Sequence, residues 1–391
     1  MSRPLGVGVI GAGVISHAYL GTICRAPELR LVAISSLGMV SARAQADRYG
    51  GVARTTEALL ADPEVEIVVN LAPPTQHHAL GRAALGAGKH LYSEKPFALS
   101  LADARDLIGL AETKGLKIAS APDTFLGRAH QATRRLVDEG AVGRIVGGAV
   151  VMASNGMEHW HPDPAFFYDR GGGPLLDIGP YMVTQLVNLL GPVVTVSAIG
   201  STPRGRRTIT SPERAGEVID VHVPTTVNGS LLFESGANLA LSLSWDVVHH
   251  RRNPIELYGL EGTLIAPTPN GFDGDVTVLA KSGAAEVSFA AASPGPVPVA
   301  ASLVQAIAML KAGVDPMTGA PLGPDSPPLF GDLRGLGLID LAQAIQEDRV
   351  PRASPSMALH VLDVLLSLQA CAEHGGSRDI VSRAERPDRL P

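Results

Sequence analysis

Residues 5–16 read LGVGVIGAGVIS. An apolar run, Leu5–Ile10, stops at Gly11-Ala12-Gly13 and gives way to Val14, Ile15 and Ser16 at the head of a helical stretch. That order is strand, tight turn, helix. Gly11 makes the turn. Gly13 lets the backbone approach a pyrophosphate at the helix N-terminus, with Val14 and Ile15 in the same loop. Ser16 stands where a third glycine is usual and is small enough for close packing of helix on strand. Further strands follow at 29–35, 65–71, 89–93 and 116–120. Helical stretches at about 40–48, after PPTQHH, and to about 114 separate them, the last opened by the capping box Ser100–Asp103. Strands alternating with helices at this spacing predict a parallel, doubly wound sheet. Residues 1–123 therefore read as a dinucleotide-binding domain.

At 391 residues the chain is too long for one small core. Its net charge of −6 lacks the basic footprint of a nucleic-acid binder. Two cysteines, Cys24 and Cys371, make no disulfide framework, and a reducing cytoplasm is the expected location. No uninterrupted apolar run reaches about 18 residues, so no membrane association is expected. The start, MSRPLGVGVIGAG, reads as the first strand and not as a secretion signal.

Ligands of open parallel sheets bind beyond the carboxyl ends of the strands. Ser35 and Ser36 close the second strand, where an acid would select NAD; serines leave room for a 2′-phosphate. The cofactor reading is therefore NAD(P), leaning to NADP, with Arg43 and Arg25 as candidates to reach the phosphate. Three further stretches end strands: NLAPPTQHH (Ala72, Pro73, Thr75 and His77), SEKP (Glu94 and Lys95) and APDTF (Asp123). Pro96 biases Lys95 toward an extended backbone, which can aim its side chain into the crevice.

The run GGGPLLDIGPYM, residues 171–182, places three glycines before Asp177 and Tyr181. It reads as backbone that passes close to cofactor and substrate. Pro180 suits the first turn of a helix to about Leu190, stopped by Gly191-Pro192. Asp177 then lies just ahead of that helix, where helix capping is an alternative role. The glycine loop, APPTQHH, SEKP and GGGPLLDIGPY, in this order and spacing, resemble the glucose–fructose oxidoreductase/inositol dehydrogenase/MocA family along nearly the whole chain. The resemblance implies an α/β protein: an N-terminal Rossmann domain and a C-terminal α/β domain with an open, mostly antiparallel sheet. It implies NAD(P)-dependent oxidation or reduction of a sugar, polyol or related alcohol. It also implies that Lys95 contacts both nicotinamide and substrate, and that Asp177 and Tyr181 belong to the catalytic run. Many members carry histidine where this chain has Tyr181, as the glucose–fructose oxidoreductase and dihydrodiol dehydrogenase branches do not. Homo-dimers or homo-tetramers built on the open sheet face are a further implication.

Residues 124–391 read as the second domain. A helix covers about 128–138. Strand-like runs follow at about 144–153, 193–199, 218–222, 226–233, 238–246, 254–259 and 274–280. Asp273-Gly274 reads as a hairpin turn, and two late helices precede a terminal one at about 356–374. The basic stretch TPRGRRTITSPERAG, 202–216, reads as a solvated loop. In EHWHPDP, His159, His161 and Asp163 suggest a metal, but zinc sites need more ligands at tighter spacing, so no metal is expected. Trp160 and His161 fit a sugar pocket better, and His249 and His250 are further candidates to approach it.

Hydride transfer requires a proton to leave the alcohol. A neutral Lys95 at pH 7 needs its pKa lowered by roughly 3.4, about 4.6 kcal/mol. Tyr181 in a first helical turn gains about 0.3–1 kcal/mol for its phenolate. Tyr181 is therefore read as acid/base, Lys95 as electrostatic partner and substrate anchor, and Asp177 as holding a hydroxyl or orienting Lys95. The swapped roles of Lys95 and Tyr181 stay open. So do two other functions on the same fold: a non-catalytic sugar sensor, and a redox-neutral, NAD-using glycoside-cleaving enzyme.

Overall fold

The computed structural model describes residues 3–281, 283–288, 303–316, 318–328 and 332–390. The chain forms two compact units. The first is Met1–Asp123 with Pro294–Ala358, the second Thr124–Ser293 with Leu359–Pro391. The chain first leaves unit one at 123/124, but residues 294–358, assigned from sequence to the second domain, lie with the first.

In chain order the first stretch runs β1 (Leu5–Ile10), α1 (Ser16–Arg25), β2 (Leu29–Ser35), α2 (Met39–Tyr49), β3 (Val52–Ala53), α3 (Thr56–Ala61), β4 (Ile67–Asn70), α4 (His77–Gly86), β5 (His90–Ser93), α5 (Leu101–Lys114) and β6 (Ile118–Ser120). The six strands are parallel, in the order β3-β2-β1-β4-β5-β6. Every residue of β1 is buried, as a strand covered on both faces must be. Ser100 caps α5 by accepting the Asp103 N–H at 3.1 Å, and Gly115, with φ 66°, ends it. The strand order reverses between β1 and β4, which is where such sheets bind ligands. The Lys95–Pro96 and Ala121–Pro122 peptide bonds are cis.

The second unit continues with α6 (Arg128–Asp138), β7 (Ile145–Ala153), α7 (Gly173–Asp177), α8 (Gly179–Leu190), β8 (Val193–Ser201), β9 (Arg206–Thr208), β10 (Val218–Asp220), β11 (Thr226–Phe233), β12 (Asn238–Ser244), β13 (Ile255–Gly259), β14 (Gly262–Ala266), β15 (Asp275–Ala280) and β16 (Gly283–Ser288). Then come α9 (Leu303–Lys311), α10 (Leu336–Gln346), α11 (Pro355–His374) and β17 (Ser377–Asp379). The large sheet is ordered β16-β15-β14-β13-β7-β12-β11-β8-β17. Only the β7–β12 pair is parallel. Asp273-Gly274 is not a two-residue hairpin turn; it ends a longer connection from β14 to β15. One sheet face is covered by α8 and α11, where a Cβ on Gly179 would stand 2.5 Å from Leu365. On the other face Asn228, Leu232, Asn238 and Ala240 are exposed.

Helix α9 and α10 belong to unit one. Helix α10 lies along the edge strand β6 and buries Leu338, Leu341, Ala342 and Ala344, which covers an otherwise open sheet edge. Among the described residues α11 alone is long and apolar enough to cross a membrane. Its Val361, Leu362, Val364, Leu365 and Leu368 are buried in the protein, together with His360 and Asp363.

Candidate active site

The first unit presents a dinucleotide cradle. Gly11 has φ 112°, and a Cβ there would lie 2.7 Å from the carbonyl carbon and oxygen of Leu71. Its N–H donates to Ser35 O at 2.8 Å, tying the loop to the end of β2. A Cβ at Gly13 would meet nothing within 4 Å. Gly11 is thus demanded by the fold, while Gly13 keeps open the space a pyrophosphate would take. The first bonds of α1 are donated by Ser16, His17 and Ala18 to the carbonyls of Gly13, Val14 and Ile15. No side chain caps this helix, so its leading N–H groups face the loop. The buried Ser16 hydroxyl donates back to Gly13 O at 2.6 Å. These features fit a bound dinucleotide.

At the end of β2, Ser35 is buried with its Oγ 3.2 Å from Thr56 Oγ1, so Ser36, half-buried, is the serine that faces outward. Arg43 is exposed on α2. Arg25 is not placed to meet a 2′-phosphate: it closes the far end of α1 and donates to Ser326 O at 2.8 Å.

Beyond β4, Ala72 is half-buried and Pro73 and Thr75 are exposed along a short 3-10 turn, Pro74–Gln76. The neighbouring Asn70, not singled out from sequence, shapes this turn: Oδ1 accepts the Ala72 N–H at 3.3 Å and Nδ2 donates to His77 O at 3.2 Å. Three residues named as cofactor contacts also have their side chains engaged by the protein. His77 is buried, with Nδ1 2.7 Å from Pro96 O and Nε2 2.7 Å from Ala72 O. Burial lowers its pKa, opposed by those carbonyls and by Glu94. Glu94 is buried with one oxygen on the Tyr19 hydroxyl and the other on the Lys95 N–H. Asp123 is buried, and its Oδ2 accepts the N–H groups of Gly335 and Gly337 at 2.8 and 2.9 Å, capping α10. Burial pushes the Asp123 carboxyl up to about 6 although those N–H groups pull it down. Lys95 is half-buried at the end of β5.

In the second unit the glycine run is explained by packing. Gly171 and Gly173 have φ 90° and 82°, and a Cβ on Gly172 would stand 2.4 Å from Phe167 O. The chain folds tightly on itself here, and that alone requires glycines at these positions. Pro174 opens the short helix α7, whose Leu175 and Leu176 are buried and whose last residue is the half-buried Asp177. Asp177 does not cap α8; the capping position is Ile178, and no side-chain bond is made there. Pro180 and the buried Tyr181 occupy the first turn of α8, a helix buried along its whole length and stopped at Gly191, φ 88°. Tyr181 thus stands in the first turn of α8, at the positive end of its dipole.

The segment after β7 is aromatic. His161 stands edge-on to Trp160, Phe166 and Phe167 at ring separations of 5.3, 5.5 and 5.0 Å. Trp160 also packs against the cluster of Met157, Tyr168, Ile209, Ile219 and Trp245. The basic stretch is not simply solvated. It forms β9, and its Arg207 is buried between Glu158 (2.8 Å) and Asp246 (2.5 Å) and lies 5.0 Å over the Tyr168 ring. The Tyr168 hydroxyl donates to Glu158, and burial holds this phenol well above its usual pKa. Sequence offered no signal for this network. His159 lines a cleft of about 300 Å³ with Arg204, Arg206, Thr208 and Thr210. Asp163 is taken up by an ion pair with Arg214. His249 and His250 are exposed on the β12–β13 connection; His250 borders a cavity with Ala149, Val151 and Ala240 of the sheet.

Comparison with known proteins covers both units. A family model described as an oxidoreductase family with an NAD-binding Rossmann fold matches residues 5–121. One described as the GFO/IDH/MocA C-terminal domain matches residues 130–265. The dTDP-3,4-didehydro-2,6-dideoxy-alpha-D-glucose 3-reductase of Streptomyces violaceoruber is 30% identical over 266 residues, 67% of this chain and 72% of that protein. The D-glucoside 3-dehydrogenase of Escherichia coli is 30% identical over 197 residues, 49% of this chain and 55% of its own. The structure of levoglucosan dehydrogenase with NADH and L-sorbose superposes with a TM-score of 0.76 at 20% identity, over 97% of this chain and all of the other. That last likeness is one of fold.

Proposed function

The chain belongs to the GFO/IDH/MocA oxidoreductase family, and we propose that it moves a hydride between a nicotinamide dinucleotide and C3 of a hexopyranose. It is an NAD(P)-dependent oxidoreductase of a sugar CH–OH or C=O group. The observation that carries this reading is the match of the two family models to both units, joined to a glycine loop whose geometry fits a dinucleotide. The choice of C3 rests on the two relatives, a 3-reductase and a 3-dehydrogenase.

The bound nicotinamide supplies the hydride acceptor in oxidation and the donor in reduction. The protein's task is the proton and the substrate. Tyr181 Oη takes the hydroxyl proton in oxidation and returns it in reduction, aided by its place in the first turn of α8. Lys95 Nζ, as an ammonium, holds the reacting oxygen and favours its anionic form. Asp177 accepts a neighbouring sugar hydroxyl. Trp160 and His161 present aromatic surface to the sugar ring.

NADP is the preferred cofactor. No carboxylate stands at the end of β2, Ser36 leaves room for the 2′-phosphate, and Arg43 is exposed on the helix that follows. The protein self-associates through the uncovered sheet face, whose exposed Leu232 and Ala240 are apolar. Its two cysteines are free, in keeping with a cytoplasmic location. The test is direct: purified protein is incubated with NAD or NADP and a panel of hexopyranosides, and reduced-nicotinamide absorbance is followed. Turnover with a hexopyranoside supports the reading. Cofactor binding without turnover of any sugar contradicts it.

A further inference from the structure

The main chain at Lys95 is held on both sides by buried side chains. On the amino side, the Lys95 N–H donates to Glu94 Oε2 at 2.8 Å, and Glu94 Oε1 accepts the Tyr19 hydroxyl at 2.7 Å. On the carboxyl side, Pro96 O lies 2.7 Å from the His77 ring, whose other nitrogen lies 2.7 Å from Ala72 O. Tyr19 is 0%, His77 1% and Glu94 8% exposed, so water does not compete for these bonds. Each holding group comes from a different cofactor-facing element. Tyr19 is on α1, the helix that opens at the glycine loop, and its ring also meets Tyr92 of β5 edge-on. His77 opens α4, directly after the turn beyond β4, and Asn70 fixes its carbonyl.

A lysine side chain is long and flexible. What sets the reach of its ammonium is the position of its Cα. Two anchors, one either side of residue 95, fix that position relative to the glycine loop and the turn beyond β4. We propose that Tyr19 and His77 are positioning residues for Lys95, acting through the main chain of residues 94–96. This rests on the role given to Lys95 above. Neither residue touches the reacting atoms; each acts by denying Lys95 an alternative placement.

Tyr19→Phe removes one oxygen and leaves Glu94 Oε1 without its donor. His77→Gln replaces the ring that stands between Pro96 O and Ala72 O with an amide. For each intact variant, kcat, KM and the cofactor Kd from fluorescence titration are measured beside Lys95→Ala. The expected result is a fall in kcat of about tenfold in each variant, with cofactor Kd within about twofold of the parent protein. Unchanged kcat overturns the proposal. So does a cofactor Kd that worsens in step with kcat, because the two residues would then serve the cofactor cradle. Full activity of Lys95→Ala sinks the role of Lys95 itself; loss of activity there beside unchanged Tyr19→Phe and His77→Gln sinks the positioning alone. If His77→Gln does not fold, Tyr19→Phe decides.

Discussion

A Cβ at Gly11 would stand 2.7 Å from the carbonyl carbon of Leu71, whereas one at Gly13, two residues on, would meet nothing within 4 Å. The same motif thus contains one glycine required by the fold and one that leaves room for a ligand. Gly11→Ala should destabilise the protein by at least about 2 kcal/mol, from the positive φ and the clash together. Gly13→Ala should unfold at the parent temperature but bind the dinucleotide at least about tenfold more weakly, since its methyl enters the pyrophosphate space. Thermal unfolding and cofactor titration of both variants check this. Equal loss of stability in the two would contradict it.

In the proposed reading Ser36 favours NADP over NAD. An aspartate there accepts a hydrogen bond from the 2′-hydroxyl of NAD and repels the 2′-phosphate of NADP. Ser36→Asp should lower the NADP-to-NAD ratio of kcat/KM by at least about tenfold, a difference of about 1.4 kcal/mol. A ratio that does not move would remove Ser36 from the ribose site.

In the proposed mechanism Tyr181 moves the proton and Lys95 anchors the substrate. Tyr181→Phe and Lys95→Ala should each cut kcat by at least about a hundredfold, the usual size of an acid/base loss. Steady-state rates with a hexopyranoside substrate read this out. Retention of activity in both variants would dismiss the mechanism.

His130 gives stability a pH dependence. It is buried, with Nε2 2.9 Å from Gly271 O, and burial lowers its pKa from 6.5 to about 4. The unfolded chain therefore takes up this proton near pH 6.5, and the folded protein only near 4. Stability held above pH 6.5 is lost as pH falls toward 4, by up to about 3 kcal/mol. His130→Gln keeps a donor for Gly271 and removes the titration. Its thermal midpoint should fall less than the parent's between pH 6.5 and 4; parallel curves would count against His130.

Local patterns told most about the fold. The all-apolar Leu5–Ile10 could only be a strand covered on both faces, Ser100 and Asp103 announced the cap they make, and the alternation in residues 226–233 marked β11 to the residue. What stayed hidden depends on distant partners. Arg207 looked solvated because Glu158 and Asp246, which neutralise it, lie 49 and 39 residues away. The capping role of Asp123 was hidden because the N–H groups it caps lie 212 and 214 residues on. The amphipathic pattern of α10 shows an apolar face but not that β6 receives it, so the return of residues 294–358 to the first unit was not visible. The motifs drew attention to Gly11, Gly13, Lys95, Asp177 and Tyr181 as candidates, while the hydrogen bonds of Tyr19, Asn70 and His77 have no one-dimensional signature.

Hydride exchange at C3 of a hexopyranose is open to isotope tracing. The protein is incubated with NADP and a hexopyranoside deuterated at C3 alone, and the reduced cofactor is examined by mass spectrometry. The account predicts reduced nicotinamide carrying one deuterium. Reduced cofactor without deuterium would place the hydride at another carbon and contradict it.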